Sequence, residues 1–171
     1  MTTYFHEEEL ATVKKQRKNC LTIYFIVLGV YFLASAGMFW WYLTLPYHSP
    51  KITTVKLIEY PLTGVFVIFS FIYLGIKFKR VNKYYKLCRH LVEGIKETYT
   101  GNFLEYDETV QVKDGVDFKS LVFIEWNKYK NDFFERKVLV FNEKTFPEIP
   151  EKSNVTYVTQ GNVLLIYEIL S

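Results

Sequence analysis

Apolar positions along this chain change their spacing three times, and each spacing predicts a different element. From Cys20 to Leu45 the sequence CLTIYFIVLGVYFLASAGMFWWYLTL runs 26 residues without a charge. About 20 apolar residues cross a hydrocarbon core as a helix, so this run is long enough to span with tilt. A second run, YPLTGVFVIFSFIYLGI over residues 60–76, is 17 residues long and sits at the short end of the spanning range. Beyond it apolar residues recur at Val81, Tyr84, Tyr85, Cys88, Leu91, Val92, Ile95 and Tyr99, the stripe of an amphipathic helix.

After Gly101 the pattern alternates. Strands are expected near 103–113, 116–126, 133–141, 154–160 and 163–170. Asp114 and Gly115 mark a hairpin turn, and Gly161 and Asn162 mark another. Five short strands in roughly 70 residues suit a small barrel of OB or SH3-like type, because closure removes exposed edges. A short antiparallel sheet packed on the preceding helix is the alternative.

The predicted fold class is therefore an α+β membrane protein: a two-helix transmembrane hairpin, a juxtamembrane amphipathic helix and a small all-β C-terminal barrel or sheet. The expected boundaries are an N-terminal amphipathic segment 1–19, helix 20–45, outer loop 46–59, helix 60–76, juxtamembrane helix 77–100 and β domain 101–171. Ala34 and Ala36 resemble a signal-peptide cleavage site, but the apolar run continues past them and Glu7, Glu8 and Glu9 make an unusually acidic leader. Pro61 is expected in the first turn of the second helix, where its missing N–H costs least. Gly29 and Gly37, with Ala34 and Ser35 between them, offer a face on which a second helix can approach closely.

Charge orients this plan. Lys14, Lys15, Arg17 and Lys18 precede the first run, and Lys77, Lys79, Arg80, Lys83, Lys86 and Arg89 follow the second, whereas the short connection carries only Lys51 and Lys56. The positive-inside rule places both termini and the β domain in the cytoplasm. Trp40, Trp41, Tyr42, Tyr47 and Tyr60 form the opposite, outer interfacial belt. Lys14, Lys15, Arg17, Lys18, Lys77, Lys79, Arg80 and Lys83 are the expected contacts with anionic lipid headgroups, each worth about 1 kcal/mol near such a surface. Val81, Tyr84, Cys88, Leu91 and Ile95 are the expected packing or oligomer face of the third helix.

The overall charge of +3 hides a split. From Tyr99 onward eight Lys or Arg stand against twelve Asp or Glu, while residues 1–98 carry a net +7. A nucleic-acid-binding barrel needs a basic groove, so nucleic acid is not an expected partner despite the local patch Lys128, Lys130, Arg136 and Lys137.

Candidate chemistry is sparse. Neither apolar run contains an ionisable residue, which argues against a proton or ion relay acting within one hairpin. Two cysteines, Cys20 and Cys88, on the expected cytoplasmic side do not suggest a disulfide. His6 with Glu7, Glu8 and Glu9 points in different directions on a helix, and His48 and His90 lack ligand neighbours, so no metal or other cofactor is expected. Asp107, Glu108, Asp114 and Asp117 lack calcium-loop spacing. Asp107, Glu125 and Asp132 are the acidic residues left for an enzyme sharing its site with another chain. Phosphate-binding loops and nucleophile elbows are absent. The sequence thus predicts a non-enzymatic membrane protein whose β domain binds a protein partner or another copy of itself. An oligomeric channel lined by Thr22, Ser35, Thr44, Thr63 and Ser70 is the rival reading.

Overall fold

The structure is a computed structural model that describes residues 1–127 and 131–170. Its elements run β1 (Thr2–Thr3), α1 (Glu7–Thr44), α2 (Lys51–Ile72), a π-helical stretch (Tyr73–Phe78), α3 (Lys79–Glu93), β2 (Glu97–Lys113), β3 (Val116–Asn127), β4 (Asp132–Phe141), β5 (Asn154–Gln160) and β6 (Val163–Leu170). They form two compact units, residues 15–82 and residues 1–14 with 83–171. Lys128 and Lys130 of the expected basic patch lie outside the described residues.

The first unit is a hairpin of two helices, each long and apolar enough to cross a membrane. Residues 51–59, expected in the connecting loop, are helical, so the turn between the helices is only the stretch 45–50. Pro61 consequently lies inside α2 rather than in its first turn. Its missing N–H leaves the Leu57 carbonyl without the usual helical donor, a cost of about 3 kcal/mol in an ordinary helix.

In the second unit β2 to β6 close a five-stranded barrel. Four of the neighbouring pairs are antiparallel, and β4 meets β6 in parallel at Leu139 and Val163. Both predicted turns form, with Asp114 and Gly115 at φ 54° and 76° and Gly161 and Asn162 at φ 53° and 66°. Successive left-handed residues match the twist of the flanking strands, which is why Gly and Asn or Asp serve there. The strand expected from Phe103 starts at Glu97, because α3 stops at Glu93 and Gly94 donates to the His90 carbonyl at 2.8 Å.

Two apolar clusters fill this unit. Phe103, Leu121, Phe123, Val138, Val140, Val155, Tyr157 and Leu164 occupy the barrel interior. The other cluster joins Phe118, Leu139, Phe141, Val163 and Leu165 of the strands to Leu87, Cys88 and Leu91 of α3. It also takes in Phe5 and Val13, so the N-terminal segment, expected only as an amphipathic approach to the membrane, is part of the β unit. Thr2 and Thr3 pair with Tyr167 and Ile166, adding a short strand to the edge of β6. His6 N–H donates to Glu9 Oε1 at 3.1 Å, half of a capping box that starts α1.

Candidate functional site

Within the hairpin unit a row of polar contacts crosses from α1 to α2 and the start of the π-helical stretch that follows it. Tyr73 donates its hydroxyl to the Cys20 carbonyl at 3.1 Å, and Tyr24 donates to Ser70 Oγ at 3.5 Å. Tyr31 Oη and Thr63 Oγ1 are 3.0 Å apart, and Ser35 Oγ donates to Glu59 Oε1 at 2.6 Å. The partners advance along α1 as they retreat along α2, which is the register of an antiparallel helix pair. Between them Tyr31 stacks on Phe66 at 4.2 Å with the rings nearly parallel.

A Cβ added at Gly29 or Gly37 would meet nothing within 4 Å, so α2 is not the helix that approaches closely at these two glycines, although Ser35 between them does bond to it. Ring contacts of Tyr31 with Phe66 and of Tyr24 with Tyr73, together with the hydroxyl contacts, join the two sides of the hairpin.

Glu59 is the member of the row with most chemical potential. Hydropathy assigned it to the loop, yet it stands on α2 opposite Ser35, which is nine residues, or about 13 Å of helix, inside the end of α1. Thr63 Oγ1 approaches the same Glu59 oxygen at 3.5 Å. The other oxygen, Oε2, is shielded from solvent and has no hydrogen-bond partner among the described residues. A cavity of about 300 Å³ lies beside it, lined by Ser35, Phe39, Tyr42, Lys56, Glu59 and Tyr60 among others. Its signal in the sequence was a carboxylate just before an apolar run, Glu59, with a hydroxyl residue four positions on inside that run, Thr63.

In the β unit a second polar group is set into the barrel wall. Tyr157 donates its hydroxyl to Glu125 Oε1, and Arg136 Nε forms an ion pair with Glu125 Oε2 at 3.1 Å. The Arg136 guanidinium lies 3.6 Å above the Tyr99 ring. Burial, and then the hydrogen bond to Glu125 and the charge of that carboxylate, push the Tyr157 phenol well above its ordinary pKa. Tyr157 therefore stays protonated and acts as a fixed donor rather than as a proton carrier. Gly101 makes room for this group, since a Cβ there would come within 3.0 Å of both Glu125 Cγ and the Ile124 carbonyl oxygen.

Asp107, Glu125 and Asp132 do not converge. Asp107 pairs with Lys137 at 2.7 Å and lies opposite Ser120, five residues along β3 from Glu125. Asp132 Oδ1 accepts from the Phe133 N–H at 2.8 Å. Among the described residues no three His, Cys, Asp or Glu side chains gather as a metal site would require.

The predicted helix face is partly assembled. Cys88 and Leu91 are buried and Tyr84 packs beside them, with Leu87 as an unforeseen fourth member. Ile95 lies beyond the helix end and is 85% exposed, and Val81 falls within the hairpin unit. Of the expected headgroup contacts, Lys14, Lys15, Lys18, Lys77, Lys79, Arg80 and Lys83 are exposed, whereas Arg17 is half-buried. Lys83 lies against the turn at Gly115, and Lys77 sits 5.4 Å from the Tyr73 ring centre. No family model, curated protein or solved structure matches the chain.

Proposed function

We propose that this chain is a non-enzymatic two-pass membrane protein whose β domain lies in the cytoplasm and binds a protein partner or a second copy of itself. The observation that carries the membrane half is the bareness of the hairpin. Phe25, Leu33, Trp40 and Phe71 are 60–77% exposed, and many other apolar side chains of both helices are exposed with them. A water-soluble fold buries such surface, and a bilayer covers it without further protein. The basic residues at the ends of both apolar runs then meet anionic headgroups.

The binding half rests on the barrel. Its strand order, with the third and fifth barrel strands parallel, has the connectivity of an OB-type fold rather than of a simple meander. Trp126 and Phe133, paired across β3 and β4 with ring centres 4.8 Å apart, are 49% and 63% exposed, and Phe134 beside them is also exposed. Exposed aromatic clusters of this kind are the usual anchors of protein interfaces. The channel reading loses support because Ser35, Thr63 and Ser70 are bonded inside the hairpin, and Thr22 and Thr44 donate to carbonyls of their own helix.

The test is purification of the full chain in detergent with a mass determination and identification of companions. A complex that Trp126→Ala with Phe133→Ala dissolves is expected, and a lone monomer at native expression would remove the binding half. A cysteine introduced at His48 should react with an impermeant reagent outside intact cells, while one at Asp114 should not. The reverse pattern would invert the orientation.

A further inference from the structure

Strand β4 keeps one main-chain edge open over residues 132–138. On one side it pairs with β3 residue for residue from Asp132 to Phe141, while on the other it meets β6 only at Leu139. Leu139 donates its N–H to the Asn162 carbonyl, away from β3. Main-chain groups alternate in direction along a strand, so Phe133, Glu135 and Lys137 aim their N–H and C=O groups at the same open side. Among the described residues no backbone group meets them there, and the Phe133 N–H has the carboxylate of its neighbour Asp132 instead, at 2.8 Å. The segment is neither bulged nor interrupted by proline, and residues 132–135 are exposed. An edge in that state is a template for another strand.

We propose that the open β4 edges of two copies of this chain pair antiparallel about a two-fold axis at Phe134. Residues opposite each other in a sheet share a face, so the axis must pass through one residue, which then meets its own counterpart. Only Phe134, Glu135 and Arg136 are placed so that the pairing engages five or more residues of the open stretch. With Glu135 on the axis two carboxylates oppose one another, and with Arg136 two guanidinium groups do, which destabilises the pair. With Phe134 on the axis no like charges meet: the two Phe134 rings face each other, Asp132 faces Arg136 of the second copy, and Phe133 faces its Glu135. The two Phe133–Glu135 pairs carry four backbone hydrogen bonds, because both residues aim their main-chain groups at the open side. On that face the two Phe133 rings are diagonal neighbours, within reach of one another. The junction thus covers Phe133 and Phe134, which are 63% and 37% exposed in the single chain. This pairing specifies the second copy in the proposed function and rests on that reading.

The experiment is disulfide trapping of the full chain in membranes of the expressing cell, with Phe133→Cys, Phe134→Cys or Glu135→Cys and copper phenanthroline as oxidant. Cys20 and Cys88 are buried, so the unsubstituted chain should give no covalent dimer. Phe134 aims its own N–H at β3, so its pair with the second copy is of the non-hydrogen-bonded kind, with Cα atoms about 4.5 Å apart and within disulfide reach. The two copies of residue 133, or of residue 135, lie about 7–8 Å apart at Cα, so Phe134→Cys should be trapped roughly tenfold faster than either. Glu135→Pro removes a donor on the open edge and none toward β3, so it should abolish trapping at Phe134→Cys while Cys88 stays protected from maleimide. Asp132→Arg sets like charges against Arg136 of the second copy and should slow trapping about fivefold, which keeps the test open if the proline variant unfolds. Equal rates at the three positions, a maximum at another of them, no trapping at all, or trapping unaffected by either variant in a folded chain would overturn the pairing. Mass determination separates the two levels: a chain in a complex without trapping at Phe134→Cys loses this pairing alone, and a lone monomer loses the binding reading with it.

Discussion

Phe5 stacks on Phe141 with ring centres 6.1 Å apart and planes inclined by 28°. Five residues from the N-terminus, a side chain thus closes a barrel whose strands begin more than ninety residues later. The backbone is held with it, since the Tyr4 and Phe5 N–H groups both donate to the Leu165 carbonyl. Lys144 Nζ ties the same segment down through the Tyr4 carbonyl at 3.0 Å and Glu9 at 2.5 Å.

Phe5→Ala should therefore destabilise the β unit by about 3–5 kcal/mol, the usual cost of deleting a buried aromatic ring. Urea denaturation of the full chain in detergent, followed by near-ultraviolet dichroism of the barrel aromatics, measures it. A change below about 1 kcal/mol would show that the N-terminal segment is not a structural part of the barrel.

Cys88 gives an independent reading of the same cluster. It is fully buried, and burial pushes its thiol up to about 11 despite a hydrogen-bond contribution from Tyr84 in the other direction. Only the thiolate reacts quickly, so in a Cys20→Ser background Cys88 should resist maleimide at pH 8 until the unit unfolds. Labelling that is as fast in buffer as in denaturant would contradict the packing of α3 on the barrel.

Removing charge from the barrel wall separates two costs. Glu125→Ala leaves Arg136 half-buried without its carboxylate and should cost about 3–5 kcal/mol. Tyr157→Phe removes one donor while keeping the ring that stacks on Phe123, and should cost about 1.5–3 kcal/mol, as for a hydrogen bond to a charged group. The order of the two midpoints in urea is the observable. A larger loss for Tyr157→Phe would mean that the hydroxyl, rather than the ion pair, holds the register.

Asp107 supplies a pH signature. Hydrogen bonds from Lys137 and Thr109 hold its carboxyl down to about 2, against an ordinary value of 3.8. A depressed carboxyl contributes stability above the unfolded pKa and loses it as pH falls through the folded one, so the window is about pH 4 to 2. Asp107→Asn should flatten the fall in thermal midpoint across that window. The pair faces solvent on the Lys137 side, so salt should shrink the difference between wild type and variant.

Parts of this architecture were legible because their causes are local. The strands Asn154–Gln160 and Val163–Leu170 form where alternation and the Gly161–Asn162 turn placed them. Ile95 misled because it continues the helical spacing of Val81 and Cys88, while Gly94 ends the helix one residue earlier. In the Glu125, Tyr157 and Arg136 group the ion pair follows from the pairing of two neighbouring strands, whereas the part of Tyr157 could not be read. The members of the group come from three strands, and only their pairing brings the side chains to one point.

Glu59 marks the same boundary within the hairpin. Its charge ended the apolar run in the sequence, so it was counted with the loop. In the structure a hydroxyl on the neighbouring helix accepts it into the hairpin, which hydropathy along one strand of sequence does not register. What the sequence by itself determined was the succession of two apolar helices and five strands with their tight turns, because spacing of side chains and permitted φ values act over a few residues. Closure of the barrel, recruitment of Phe5, and the bond between Ser35 and Glu59 across the hairpin were decided by the tertiary structure, because each depends on which distant segments meet.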